Sequence, residues 1–196
     1  MTATVSQDKS TPIQARGLVW TLDRYHRAIE TGVFTEDDRI ELLDGKIVEK
    51  MSVGNLHASC TMILMEYFMY KLGRAYQYRS ENPIILNNLT EPEPDFVVVQ
   101  RSDNNYKEGH PKVSDIFLLI EVAEESLHRD RNKKAKLYAH ANISEYWIIN
   151  LVNRQIEIHT KPSVENGVFG SVQHFKEKEQ FDSPFVGEVL VKDLLP

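Results

Sequence analysis

Three runs of consecutive apolar residues limit what this chain can fold into: Phe96-Val97-Val98-Val99, Ile116-Phe117-Leu118-Leu119-Ile120 and Tyr146-Trp147-Ile148-Ile149. A strand with one wet face alternates apolar and polar side chains. A run without alternation has to be covered on both faces. The runs therefore suit strands in the middle of an α/β sheet, and the order of the elements predicts a mixed α/β (α+β) fold.

The covering helices are visible too. Thr21 reads as an N-cap, with Leu22, Tyr25 and Ile29 on one face and Gly32 at the end. From Asn55 to Leu72 the spacing is helical, and Ile63, Tyr67 and Tyr70, with Met62, Met65 and Met69 alongside, are expected to face the core. Gly73 closes that helix. Asp130 to Ala141 predicts a third helix that turns Ala135, Tyr138 and Ala139 inward, with Asn142 in a left-handed position after it.

Asp44-Gly45, between Arg39–Leu43 and Lys46–Glu49, is the sequence of a tight two-residue hairpin. Ala75–Arg79 and Pro83–Leu86 read as short strands, and Arg101 to Ser114 as a polar loop. Gln155 to His159 alternates and is expected to be half-exposed. Val172–Phe175 and Val186–Val191 are expected at a sheet edge.

A length of 196 residues suits one domain, expected over residues 15–196. Met1 to Gln14 is polar, without the apolar stretch of a signal peptide, and is expected to be a disordered arm. No apolar run approaches the roughly 20 residues that span a bilayer, so no membrane partner and a cytoplasmic location are expected. The single cysteine, Cys60, rules out an intrachain disulfide and a cysteine-rich zinc site, and its apolar surroundings predict burial. A net charge of −6 argues against sequence-independent coating of nucleic acid, but not against a carboxylate-rich metal site.

The chemistry points to acids at the ends of core strands. Pro94-Asp95 opens one apolar run and Glu121 closes the next. An unpaired carboxylate on a core strand is costly to bury, and two meeting at one end of a sheet repel unless a cation stands between them. Mg²⁺ suits such a pair, since it takes a few carboxylates, keeps waters and accepts phosphate oxygens. The competing reading is that Asp95 caps a turn and Glu121 pairs with an arginine. Asp130, Lys134 and Tyr138 share one helix face at i, i+4 and i+8. Lys134 is either an ammonium beside a metal-bound phosphate or a member of an ordinary surface pair. Lys133 and Lys136 are expected on a solvated face.

In order, the chain carries Arg39-Ile40-Glu41-Leu42-Leu43-Asp44-Gly45-Lys46-Ile47-Val48, His57, Pro94-Asp95, Glu121-Val122-Ala123, Asp130-Arg131, Lys134, Tyr138-Ala139 and Glu145-Tyr146-Trp147-Ile148-Ile149. The series, from about Leu18 to His159, resembles the endonuclease family of the Uma type, within the PD-(D/E)XK nuclease superfamily. The resemblance implies a restriction-endonuclease-like core, a central mixed sheet flanked by helices, with the metal site at one sheet edge. Asp95 would match the superfamily's motif aspartate and Glu121 its second acid. The lysine usually stands two residues after that acid. Here that position is Ala123, and the resemblance points instead to Lys134 on the next helix. Glu41 and His57 match two further polar positions. Glu41 would be an additional metal or water contact, or simply a strand-face carboxylate. His57 would hydrogen-bond a carboxylate or a phosphate, or lie on the surface. Where the family often has Ser-Pro after the second acid, this chain has Glu124-Glu125 before Ser126.

The expectation is thus a Mg²⁺- or Mn²⁺-dependent endonuclease acting on DNA, with Asp95, Glu121 and Glu41 toward the metal and Lys134 and His57 completing the site. Nucleases that cut both strands often act as dimers, and apolar edge strands near the C-terminus could pair between chains, so a homodimer is expected. Two other readings remain open: a catalytically inactive nuclease fold used as a binding module, favoured by the extra acids, and a metal-dependent hydrolase of a smaller phosphoester.

Overall fold

The computed structural model describes residues 17–51 and 53–196. The arm expected over Met1 to Gln14 lies outside the described residues. In chain order the elements are helix α1 (Leu22–Glu30), the hairpin β1 (Ile40–Leu43) and β2 (Lys46–Glu49), helix α2 (Asn55–Leu72), and strands β3 (Tyr76–Arg79), β4 (Phe96–Gln100) and β5 (Ile116–Ala123). A helical crossover follows, made of α3 (Leu127–Arg129), a π-helical segment (Asp130–Lys134) and α4 (Ala135–His140). It leads to β6 (Glu145–Asn150), β7 (Gln155–Ser163) and β8 (Val168–Lys176), and the chain closes with a second hairpin, β9 (Gln180–Ser183) and β10 (Gly187–Leu190).

The central sheet has the order β3-β4-β5-β6-β7-β8. Only the β5–β6 pair is parallel, because the helical crossover joins those two strands. The other ladders are antiparallel. Successive residues of a strand point to opposite faces. Phe96, Val98, Leu118, Ile120, Trp147 and Ile149 therefore pack on the side of α2, while Val97, Val99, Leu119, Tyr146 and Ile148 pack on the side of Ala135 and Tyr138. Both faces are covered, as the unbroken apolar runs require.

The hairpin at Asp44-Gly45 has positive φ at both loop residues, 53° and 70°, and its register pairs Leu43 with Lys46. Thr21 caps α1, accepting from the Arg24 N–H. Asn142 has φ 63°. Cys60 is buried.

Several local expectations are corrected. The buried face of α2 is Cys60, Thr61, Leu64 and Phe68, while Met62, Met69 and Tyr70 are exposed. That helix is apolar on nearly every side, so periodicity could not select its inner face. Ile29 is likewise exposed, and Tyr25 and Ala28 are the buried positions of α1. Pro83–Leu86 forms no strand, and Ile85 makes only an isolated bridge to Lys112. Ile156 to His159 are all buried, because β7 is an inner strand and its polar members have partners or cover inside. Val186–Val191 contributes to the separate β9–β10 hairpin rather than to the main sheet. The helix expected over 130–141 is interrupted by the π-helical turn.

Candidate active site

The antiparallel register of β4 and β5 pairs Phe96 with Ile120. One step further along that ladder, Asp95 meets Glu121. Asp95 Oδ2 accepts from the Val122 N–H at 2.7 Å and lies 3.0 Å from His57 Nε2, near the start of α2. Glu121 shares the face of Leu119 and Ala123, so it points at the crossover helix. There its Oε1 accepts from Lys134 Nζ at 2.9 Å and from the Tyr138 hydroxyl at 2.6 Å. Glu41, on β1, brings Oε2 to 3.7 Å from Lys134 Nζ, and the same oxygen accepts from the Glu93 N–H at 3.2 Å. All five residues singled out in the sequence, Glu41, His57, Asp95, Glu121 and Lys134, line one cleft of about 300 Å³.

The π-helical turn brings Asp130 into line with Lys134 and Tyr138. The Ala135 N–H reaches back to the Asp130 carbonyl, five residues earlier. A straight α-helix, at about 100° per residue, would rotate by about 80° between Asp130 and Tyr138. One wider turn removes most of that drift. Asp130 and Lys134 are buried within the turn and Tyr138 within α4.

Asp130 is a member of this group that the sequence did not assign to the site, although its spacing from Lys134 was visible. It is 1% exposed, and its Oδ2 accepts from Ser126 Oγ at 2.5 Å. Tyr138 also enters as a direct partner of Glu121. The backbone donors of Val122 and Glu93 had no sequence signal, since any residue supplies them.

The electrostatics are unbalanced. Four carboxyl groups, those of Glu41, Asp95, Glu121 and Asp130, surround one lysine and one histidine. Burial pushes the Glu121 carboxyl well above its ordinary range, with the Lys134 ammonium pulling it back and Asp95 and Asp130 pushing further. Burial would lower the lysine, but Glu121, Glu41, Asp95 and Asp130 together outweigh it and hold Lys134 firmly protonated. Burial would raise Asp95, but the hydrogen bond and charge of His57, the Lys134 ammonium and the Val122 N–H hold it below the ordinary carboxylate range. Burial would lower His57, yet its bond to Asp95 keeps it above its ordinary value.

Hydrogen bonding is incomplete as well. Glu41 Oε1, His57 Nδ1 and Asp130 Oδ1 are buried without a partner among the described residues. Such atoms cost free energy unless something absent from the protein chain satisfies them. Asp95 and Glu121 each engage one oxygen with protein donors, and no described residue hydrogen-bonds to the other. Excess negative charge with unused oxygen donors is the chemistry of a hard divalent cation. Among the described residues no three of His, Cys, Asp and Glu form a ready-made cage. Glu124 and Glu125 are exposed at the cleft, with Arg129 as a counter-charge there.

Residues 22–189 match the Uma2 family, described as "Putative restriction endonuclease". The chain belongs to the Uma2 family. Among solved structures, this Uma2 chain resembles one described as a putative nuclease belonging to DUF820 from Anabaena variabilis ATCC 29413. The TM-score is 0.67 at 16% identity, over 89% of this chain and 96% of that one. The likeness establishes a shared fold over nearly the whole of both molecules. The type IIG restriction endonuclease BpuSI also aligns, with a TM-score of 0.41 at 16% identity, over 70% of this chain and 15% of that longer one. No curated protein matches significantly. Among the described residues, no helix of this Uma2 protein is long and apolar enough to cross a membrane.

Proposed function

We propose that this Uma2 protein is a Mg²⁺- or Mn²⁺-dependent endonuclease that hydrolyses phosphodiester bonds in DNA. The observation that carries the reading is the convergence of Asp95 and Glu121 beside Lys134, with an oxygen of each acid left without a protein donor. Membership of a family described as restriction endonucleases supports DNA as the substrate.

Asp95 and Glu121 would hold the ion, with Glu41 in the same cleft as a further oxygen donor. When bound, such an ion supplies Lewis acidity, polarising the scissile phosphate and making a water more acidic. Lys134 contributes a fixed positive charge. Because the surrounding carboxylates keep it protonated, it cannot accept a proton from water. Its role is to donate hydrogen bonds and to stabilise the negative charge that builds on the phosphoryl oxygens. Tyr138 holds the Glu121 carboxylate in orientation through its 2.6 Å bond. His57 does the same for Asp95.

The test is incubation of the full-length protein with Mg²⁺ or Mn²⁺ and plasmid or branched DNA, beside an Asp95→Ala variant. Metal-dependent cutting by the wild type, reduced at least about a hundredfold in the variant, is expected. Equal cutting by both would overturn the proposal. Nucleases that cut both strands of a duplex often act as dimers, so we infer a homodimer, and we infer a cytoplasmic location. Light scattering that returned the monomer mass at working concentration would overturn the dimer.

A further inference from the structure

The helical segment that sends Lys134 into the cleft presents a second surface on its other side. Between that segment and the β7–β8 hairpin lies a groove of about 620 Å³, within the size range of small-ligand pockets. Its wall is apolar and aromatic, built from Ala135, Val168, Phe169 and Val172, with His159 among the lining residues. Its cations are Arg131, Lys133 and Lys136, and no carboxylate lines it. In a chain of net charge −6 this is a local reversal of sign. Arg131 is already held by two bonds to Glu157, at 2.7 and 2.6 Å. Among the described residues, neither Lys133 nor Lys136 forms an ion pair.

His159 supplies the second observation. It is 6% exposed, stands against Tyr146 and Phe169, and leaves Nε2 buried without a partner among the described residues. Burial pulls it down to about 4. At neutral pH it is therefore an uncharged ring offering one donor and one lone pair, which suits the edge of a heterocycle rather than a phosphate. The far wall is fixed in place. His140 Nδ1 bonds the Val164 carbonyl at 2.7 Å, and a Cβ at Gly167, where φ is +62°, would meet the His140 ring at 2.3 Å. A side chain at Gly167 would therefore have to displace the His140 ring and hold a strained backbone.

We propose that this groove binds an unpaired nucleotide of the nucleic-acid strand, its base against Phe169 and His159 and the two phosphates flanking it on Lys133 and Lys136. Bases stack on aromatic side chains regardless of sequence, and lysines track the backbone. The two sites adjoin at this segment, because Lys133 lines the groove and the next residue, Lys134, lines the cleft. The substrate class that follows is a single strand, or a duplex with a locally unpaired nucleotide. This rests on the nuclease reading for its ligand, but it is tested by binding alone.

The experiment is fluorescence anisotropy of the full-length protein in EDTA, where no cutting occurs. The probe is a labelled thymidine oligonucleotide of roughly twelve residues, within ordinary single-strand site sizes. A Lys133→Ala/Lys136→Ala variant should bind about tenfold more weakly, with a salt slope lower by about 1.4, the value for two phosphate contacts on a single strand. Val172→Trp fills the groove from an exposed position and should weaken binding similarly without altering the circular dichroism spectrum. Wild-type affinity in both variants would overturn the groove while leaving the cleavage reading untouched. Absence of binding by the wild type would overturn the groove, while the cleavage reading stands or falls on the plasmid assay. A blunt duplex bound as tightly as the single strand, or free thymidine monophosphate competing as well per molecule as the oligonucleotide, would overturn the assignment to an unpaired nucleotide of a strand.

Discussion

Strands β5 and β6 run parallel in the middle of the sheet, and each carries a buried glutamate, at opposite ends. Glu145 begins β6. Its Oε1 accepts from Trp147 Nε1 at 2.8 Å and Ser183 Oγ at 2.7 Å, and its Oε2 from the Phe185 N–H at 3.3 Å. Both oxygens are engaged by neutral donors from the same sheet and from the C-terminal hairpin. Glu121 lies near the end of β5, and its protein donors converge on a single oxygen. Around it the partnerless atoms of Glu41, His57 and Asp130 accumulate. Burial is nearly equal, 2% exposure in each case, so burial does not distinguish the two. Completion does. A closed set of hydrogen bonds is a clasp, and an open one beside a cleft is a candidate site.

The comparison can be broken most forcefully at Lys134. Lys134→Met leaves Glu121 and Glu41 buried without their cation. We expect a loss of about 3–5 kcal/mol of stability and a fall in cleavage of about a hundred- to a thousandfold, read by urea denaturation and plasmid nicking. A variant that kept wild-type stability and rate would show the open network to be inert.

Added Mg²⁺ should sharpen the contrast. At a hundredfold excess over its Kd it should stabilise the wild type by about 2.7 kcal/mol. The gain should vanish in Asp95→Asn and persist in Glu145→Gln. Thermal melts with and without the ion make this measurement, and an equal gain in Asp95→Asn would remove Asp95 from the metal site.

Glu145→Ala tests the closed side. It strands the Trp147, Ser183 and Phe185 donors, at a cost of about 2 kcal/mol, while the cleavage rate per folded molecule should stay within about twofold of wild type. A selective loss of rate would mean that the clasp communicates with the site.

The smallest effect concerns pH. Asp95 is held below its ordinary value, so its contribution to stability is full above about 4 and is lost as pH falls through the lower folded value. His57 is held above its ordinary value, so its contribution is full below about 6.5 and is lost as pH rises through the higher folded value. The stability gap between wild type and His57→Gln should therefore be widest between about pH 4 and pH 6.5 and narrow on both sides. A gap constant from pH 3 to pH 9 would separate the two residues energetically.

Much of the fold was legible because unbroken apolar runs leave few alternatives and because Asp44-Gly45 encodes its own turn. The acids of the site were legible for a related reason, since charged residues joined directly to such runs are conspicuous. The inner face of α2 was not, because a helix apolar all round has no preferred side until the sheet supplies one. Nor was the burial of Glu157 and His159, whose alternation imitates an edge strand although β7 is internal. Asp130 was missed because an Asp four residues before a Lys also describes an ordinary helix surface. Nothing in the local composition announces a π-helical turn.

That turn has a consequence for the chain as a piece of evolving text. It holds one residue more than an α-helix needs. Removing one residue, Asn132 for instance, would let the backbone close into an uninterrupted α-helix with little loss of hydrogen bonding. Everything from Ala135 onward could keep its seat on the sheet, while the residues before the deletion would swing by about 100°. Lys134 and Tyr138 would still meet Glu121, while Asp130 would turn away from them. A single-codon deletion in this segment would thus remove one acid from the buried cluster while leaving the sheet and the lysine in place.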